Sequence, residues 1–177
     1  RQMCIRDRYD AGCTGTQADR EIFMNAKYGY LLPTRESIMA AEHGTQTLLA
    51  RAHLAQELGY DSLWIGDSLL ARPRHDPLTL MAAVGAAVPR VTIGTAVLLP
   101  MLRNPVVLAQ QIATVDQICE GRLVLGVGIA ADNPAIRSEF QAAGVPFEKR
   151  VGTLLEGLRL CRALWSGEPC LLYTSPS

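Results

Sequence analysis

The chain has 177 residues, enough for one domain with a real core, and 49% of them are apolar. Its 17 basic and 17 acidic side chains cancel, which leaves no electrostatic footprint for nucleic acid, and no apolar run is long enough to span a membrane. The five cysteines form no Cys-x-x-Cys pair and no His/Cys cluster at metal-ligand spacing, so no metal is expected.

Leu, Ala and Gly dominate and the charged N-terminus lacks a secretory apolar centre, as in a cytoplasmic α/β enzyme. Both termini read as foreign. Met3 to Arg8 (MCIRDR) can be written as DNA whose reverse complement encodes Cys170 to Thr174 (CLLYT), an inverted repeat that resembles a translated sequencing adapter. Residues 1–23 and 170–177 are therefore set aside. Met24 is taken as the start, and 24–169 as a domain expected to stop in mid-protein. The rival reading of the ends is a genuine flexible tail.

Within 24–169 one rhythm repeats. Lys27 to Leu32 (KYGYLL) is a short strand ended by Pro33. A long helical stretch then puts Leu48, Ala52, Ala55 and Leu58 on one face, and Gly59 stops it in the left-handed conformation. Ser62 to Gly66 (SLWIG) is the second strand. Asp76 and Pro77 supply an N-cap acid and a first-turn proline for a helix carrying Leu80, Val84 and Val88.

Val91 to Leu99 (VTIGTAVLL) is the third strand. Asn104 and Pro105 repeat the cap, and Leu108, Ile112 and Val115 mark the helical face behind it. Arg122 to Ile129 (RLVLGVGI) is the fourth strand. A looser segment punctuated by Gly and Pro follows, then a helix carrying Val151, Leu155, Leu158 and Trp165. Four successive strand–helix units argue for a parallel sheet, and the unalternating apolar strands predict cover on both faces. An open doubly wound sheet and part of a closed eight-stranded barrel both satisfy this. Each binds ligands at the carboxyl ends of its strands.

Asp67, in SLWIGDS, falls on that edge. It is either a loop acid capping a turn or pairing with Arg72 or Arg74, or a contact to cofactor or substrate. The glycines of GVGIAA (Gly126 to Ala131) match part of a dinucleotide fingerprint but follow the fourth strand, and close backbone approach explains them as well. In GTAVLLP the small Gly94, Thr95 and Ala96 either relieve packing or clear space for a flat ring. His43 and His53 are expected on solvated faces and His75 before a cap, with no nucleophile elbow nearby. Cys119 and Cys161 follow helical apolar patterns as buried small hydrophobes.

Four blocks in this order resemble the luciferase-like monooxygenase family. They are YGYLLP, AQELGYDSLWIGDS, RVTIGTAVLLPMLRNPVVLAQQIATVDQICEGRLVLGVG and GVPFEKRVGTLLEGLRLCRALWSGEP. The resemblance implies the N-terminal half of a TIM (β/α)8 barrel and an oxidoreductase using coenzyme F420 (a deazaflavin) or FMN. The reaction would be hydride transfer or oxygen activation on a small organic substrate. It also implies a homodimeric parent, with neither nucleic acid nor membrane as partner.

By residue, the resemblance implies a cis Ala96–Val97 peptide beneath the ring, with Thr95, Ala96, Val97, Gly126 and Gly128 around the cofactor. Asp67 and Ser68 would stand at the reacting centre. Many members carry His where this chain has Ser68, a poor base near neutrality. The light-emitting members carry Cys and Arg where this chain has Gly128 and Ile129, so light emission is not expected. Two alternatives remain. One is an open-sheet dinucleotide-binding protein, which a trans Ala96–Val97 bond and a helix N-terminus directly after Gly128 would favour. The other is a non-catalytic flavin-binding relative or inactive fragment.

Overall fold

The computed structural model describes residues 26–41 and 44–166. His43 and the proposed foreign tails lie outside the described residues. Four strands, β1 (Gly29–Leu31), β2 (Ser62–Ile65), β3 (Thr92–Leu98) and β4 (Leu123–Val127), pair in parallel in the order β1-β2-β3-β4. The helices between them are α1 (Thr34–Met39), α2 (Gln46–Glu57), α3 (Pro77–Ala87) and α4 (Pro105–Ile118), followed by α5 (Pro134–Ala142) and α6 (Arg150–Ser166).

Strictly sequential strand order decides between the two architectures. A doubly wound sheet reverses direction from its first strand so that helices reach both faces. Here each crossover advances by one strand. Tyr30, Leu63, Ile65, Ile93, Leu123 and Leu125 pack on one side against Leu48, Ala52, Met81, Val84, Leu108 and Ile112 of the helices. Four parallel strands with helices along one face form half of a (β/α)8 barrel.

The cover predicted for both faces is therefore found on one among the described residues, because a barrel's inner face is closed by its own opposite wall. Leu31 and Val124 are exposed on that inner face. Between them the Trp64 ring lies against Gly94 and Gly29, where a Cβ on either would come within 2.4 Å of it.

Local chemistry accounts for most boundaries. Asp76 caps α3 by accepting the Thr79 N–H at 2.8 Å, and Asn104 caps α4 by accepting those of Val106 and Val107. Gly59 holds φ +83° after α2. Arg122 donates to the carbonyls of Gly85, Val88 and Val91, tying the end of α3 to the start of β4. Cys119 and Cys161 are free and buried, and burial pushes both thiols up.

Four expectations need correction. The first strand is shorter than Lys27 to Leu32, and the helical stretch after Pro33 divides into α1 and α2. Leu58 is exposed because it is the residue just past the last turn of α2. In α6 the buried residues are Leu154 and Cys161, whereas Val151, Leu155 and Trp165 are exposed. This helix turns toward Leu99, Met101, Phe140 and Phe147, which form a second small core. Among the described residues no helix is long and apolar enough to cross a membrane, and no cluster of metal-ligating side chains occurs.

Candidate active site

The carboxyl ends of β2, β3 and β4 meet the loop joining β2 to α3, and two long-range contacts shape that loop. Asp67 leaves the end of β2 with its side chain 1% exposed. Arg103, which follows β3, donates from Nη1 to Asp67 Oδ2 at 2.6 Å and from Nη2 to Oδ1 at 3.1 Å. The Leu99 N–H donates to the same Oδ2 at 2.9 Å. Arg103 Nη2 also donates to Asp76 at 3.1 Å, so one guanidinium closes both ends of the loop. The partner of Asp67 is thus Arg103, and neither Arg72 nor Arg74.

The charges on this clamp reinforce one another. Burial disfavours the Arg103 cation, but its bonds to Asp67 and Asp76 outweigh that and hold its pKa above the usual value. Burial would likewise raise the Asp76 carboxyl. The Thr79 N–H and hydroxyl and the Arg103 guanidinium overcome this and hold it below the ordinary carboxylate value.

The second contact is Glu139, which is fully buried on α5. It accepts the Ser68 hydroxyl at 3.1 Å and the Leu70 N–H at 3.2 Å, and also the N–H of Leu69. Ser68 Oγ in turn accepts the Arg72 N–H at 2.9 Å. The hydroxyl proton is committed to Glu139, so toward a ligand Ser68 can act as an acceptor.

Sequence reasoning missed Arg103 and Glu139. It also missed α5, which falls within the segment read as looser and punctuated by Gly and Pro. Asn133 accepts the Ile136 N–H at 3.0 Å and Pro134 opens the helix, the same cap-and-proline signal as at residues 76–77 and 104–105. That signal was present and would have found the helix.

Beside the loop lies a cleft of ≈ 520 Å³. Asp67 and Ser68 line it, as do Ala96 and Val97, whose connecting peptide is cis. Ala130, Ala131 and Ile136 complete an apolar wall, and Arg72 and Arg74 stand on the polar side. Thr95, Gly126 and Gly128 are not among the lining residues. Thr95 is buried and donates to the Gly126 carbonyl at 2.9 Å. A Cβ on Gly126 would lie 2.3 Å from the Thr95 carbonyl oxygen, and one on Gly128 2.5 Å from Val97 Cγ2. These glycines let β4 approach the irregular pairing of β3 between Thr95 and Leu98. A helix N-terminus directly after Gly128 would have favoured the dinucleotide alternative, whereas α5 begins at Pro134.

Comparison with known proteins agrees with this geometry. A family model described as luciferase-like monooxygenase matches residues 26–174. An F420-dependent glucose-6-phosphate dehydrogenase of Nocardia farcinica is 38% identical over 135 residues, covering 73% of this chain and 40% of that protein. Its counterpart in Rhodococcus erythropolis shows the same identity and coverage. This chain therefore spans about two fifths of the length of the curated relatives it matches, at 40%. Among solved structures, the monooxygenase RslO1 from Streptomyces bottropensis superposes with a TM-score of 0.71 at 29% identity, over 85% of this chain and 46% of that one. The FMN-bound oxygenating constituent of 3,6-diketocamphane monooxygenase from Pseudomonas putida shares the fold, with a TM-score of 0.68 at 21% identity. It covers 81% of this chain and 40% of that one.

Proposed function

The chain belongs to the luciferase-like monooxygenase family, and on that premise we propose that the protein carrying it is a flavin- or deazaflavin-dependent oxidoreductase. It would act on a small organic substrate by hydride transfer or oxygen activation. The observation that carries this reading is the cleft at the carboxyl ends of β2 to β4, with an apolar alanine-rich wall facing a polar loop. Its volume falls within the usual range for small-molecule and cofactor sites. The names of the curated relatives favour the deazaflavin over FMN.

The residues present suit a flat heterocycle. Ala96, Val97, Ala130 and Ala131 offer short side chains on the cleft wall, so a ring can lie near the backbone. A bound flavin or deazaflavin supplies the electron chemistry. The chain supplies position and polarity. Asp67 fixes the loop through Arg103, and Ser68 presents an oxygen that accepts a ligand N–H or O–H. Thr95, Gly126 and Gly128 hold the strand ends at the spacing that shapes the wall.

Titration with FMN and with coenzyme F420, followed by cofactor fluorescence, tests the proposal. Binding of one of them is expected, and binding of neither overturns it. Mixing the reduced cofactor with candidate acceptors then separates an enzyme from a non-catalytic binder, which would leave the cofactor reduced.

A further inference from the structure

We propose that Arg72 and Arg74 form a subsite for a phosphate-type oxyanion at the wall of the cleft. The inference rests on reading this cleft as the ligand site, though not on which cofactor enters it. Three charged side chains line the cleft, Asp67, Arg72 and Arg74. The carboxylate of Asp67 is neutralised by Arg103. Neither Arg72 nor Arg74 makes an ion pair among the described residues, so two cations face the cleft uncompensated.

Several other arginines of the fold are visibly occupied. Arg137 pairs with Asp132 and Glu148. Arg122 is spent on three carbonyls, and Arg150 on those of Ile129 and Phe147. By contrast Arg74 makes one side-chain bond, from Nη1 to the Thr34 hydroxyl at 3.2 Å. Its guanidinium lies over Gly66, where a Cβ would come within 3.0 Å of Cζ and Nη1. The backbone leaves room for this cation, and Thr34 holds it there.

Rigidity and dielectric strengthen the case. The loop bearing both arginines is closed at its ends by Arg103 and pinned through Ser68, Leu69 and Leu70 to Glu139. Donors already held in place lose less entropy when they bind. Glu139 is satisfied by those three groups and pairs with neither arginine. The facing wall of Ala96, Val97 and Ala130 lowers the local dielectric. Guanidinium forks match tetrahedral oxyanions through paired N–H donors.

The test titrates inorganic phosphate into the full chain at constant ionic strength, by calorimetry. Arg72→Gln with Arg74→Gln should weaken phosphate about ten-fold or more, the value of a charge-assisted hydrogen bond. Arg72→Lys with Arg74→Lys should recover much of the binding, while Arg90→Gln, just before β3 at the opposite, amino end of the strands, should leave it unchanged. Unaltered circular dichroism melting separates loss of the site from loss of the fold. Equal phosphate affinity in the glutamine pair, or no binding by the parent chain, overturns the subsite.

Riboflavin and FMN differ by a phosphate and identify its source. Weaker FMN with unchanged riboflavin assigns the subsite to the cofactor's phosphate. If both are unchanged while inorganic phosphate is weakened, the subsite belongs to the substrate. Arginine-dependent phosphate binding without any flavin or F420 binding would leave the subsite standing and sink the oxidoreductase reading. Cofactor binding without phosphate binding would do the reverse.

Discussion

Replacing Arg103 with Met should cost the fold about 3–5 kcal/mol, the usual penalty for stranding one member of a buried ion pair. The perturbation keeps most of the side-chain volume and removes the charge. Asp67 is 1% exposed and would retain a single donor, the Leu99 N–H at 2.9 Å. The bond to Asp76 adds little, since that carboxylate is 46% exposed and solvent-screened, where pairs contribute about 0–1 kcal/mol. The loss is a large fraction of a typical domain's stability of about 5–15 kcal/mol. Urea denaturation followed by circular dichroism measures it as a lower midpoint. Adding Asp67→Asn to Arg103→Met removes the stranded charge and should recover part of the loss, giving a coupling energy in a double-mutant cycle. A cost for Arg103→Met below about 1 kcal/mol, the level of a surface pair, would refute the clamp.

Asp76 gives a pH signature. Its folded pKa lies below the unfolded value near 3.8, so its contribution is fully present above that value and is lost as pH falls through the folded pKa. Asp76→Asn keeps a good N-cap at neutral pH, and its stability should fall less steeply than the parent's in acid titration below about pH 4. Two glycines should respond in opposite directions in thermal melts. Gly126→Ala drives a Cβ to 2.3 Å from the Thr95 carbonyl oxygen and should lower the Tm sharply by parting β3 from β4. Gly152→Ala, with nothing within 4 Å on α6, should raise stability by about 0.5–1 kcal/mol.

What could be read from the sequence was mostly local. Asp76–Pro77 and Asn104–Pro105 announced their helices because a cap bonds N–H groups two or three residues away. Leu48, Ala52 and Ala55 announced their face because α2 packs on one side. In α6 apolar residues occur on several rows, so period alone could not choose between Leu155 and Leu154. The second core around Phe140 and Phe147 chose Leu154. Position along a strand placed Asp67 at the carboxyl edge of the sheet, but its partner lay 36 residues away, and the partner of Ser68 lay 71 away. Such pairs leave no mark in local periodicity.

Those distant partners change what the cleft can do. Asp67 is the one carboxylate among the described residues lining it, and its oxygens are taken by Arg103 and Leu99. The proton of Ser68 is taken by Glu139. The two side chains that looked reactive in sequence are thus fixed in geometry, and proton transfer through Asp67 would first require breaking a buried pair. What remains on offer to a ligand is an alanine-rich wall, an acceptor oxygen and two cations. Such a surface can hold, orient and shield a flat cofactor and an anionic group. It has no nucleophile or base of its own to spare, which is the division of labour expected where the cofactor carries the electrons.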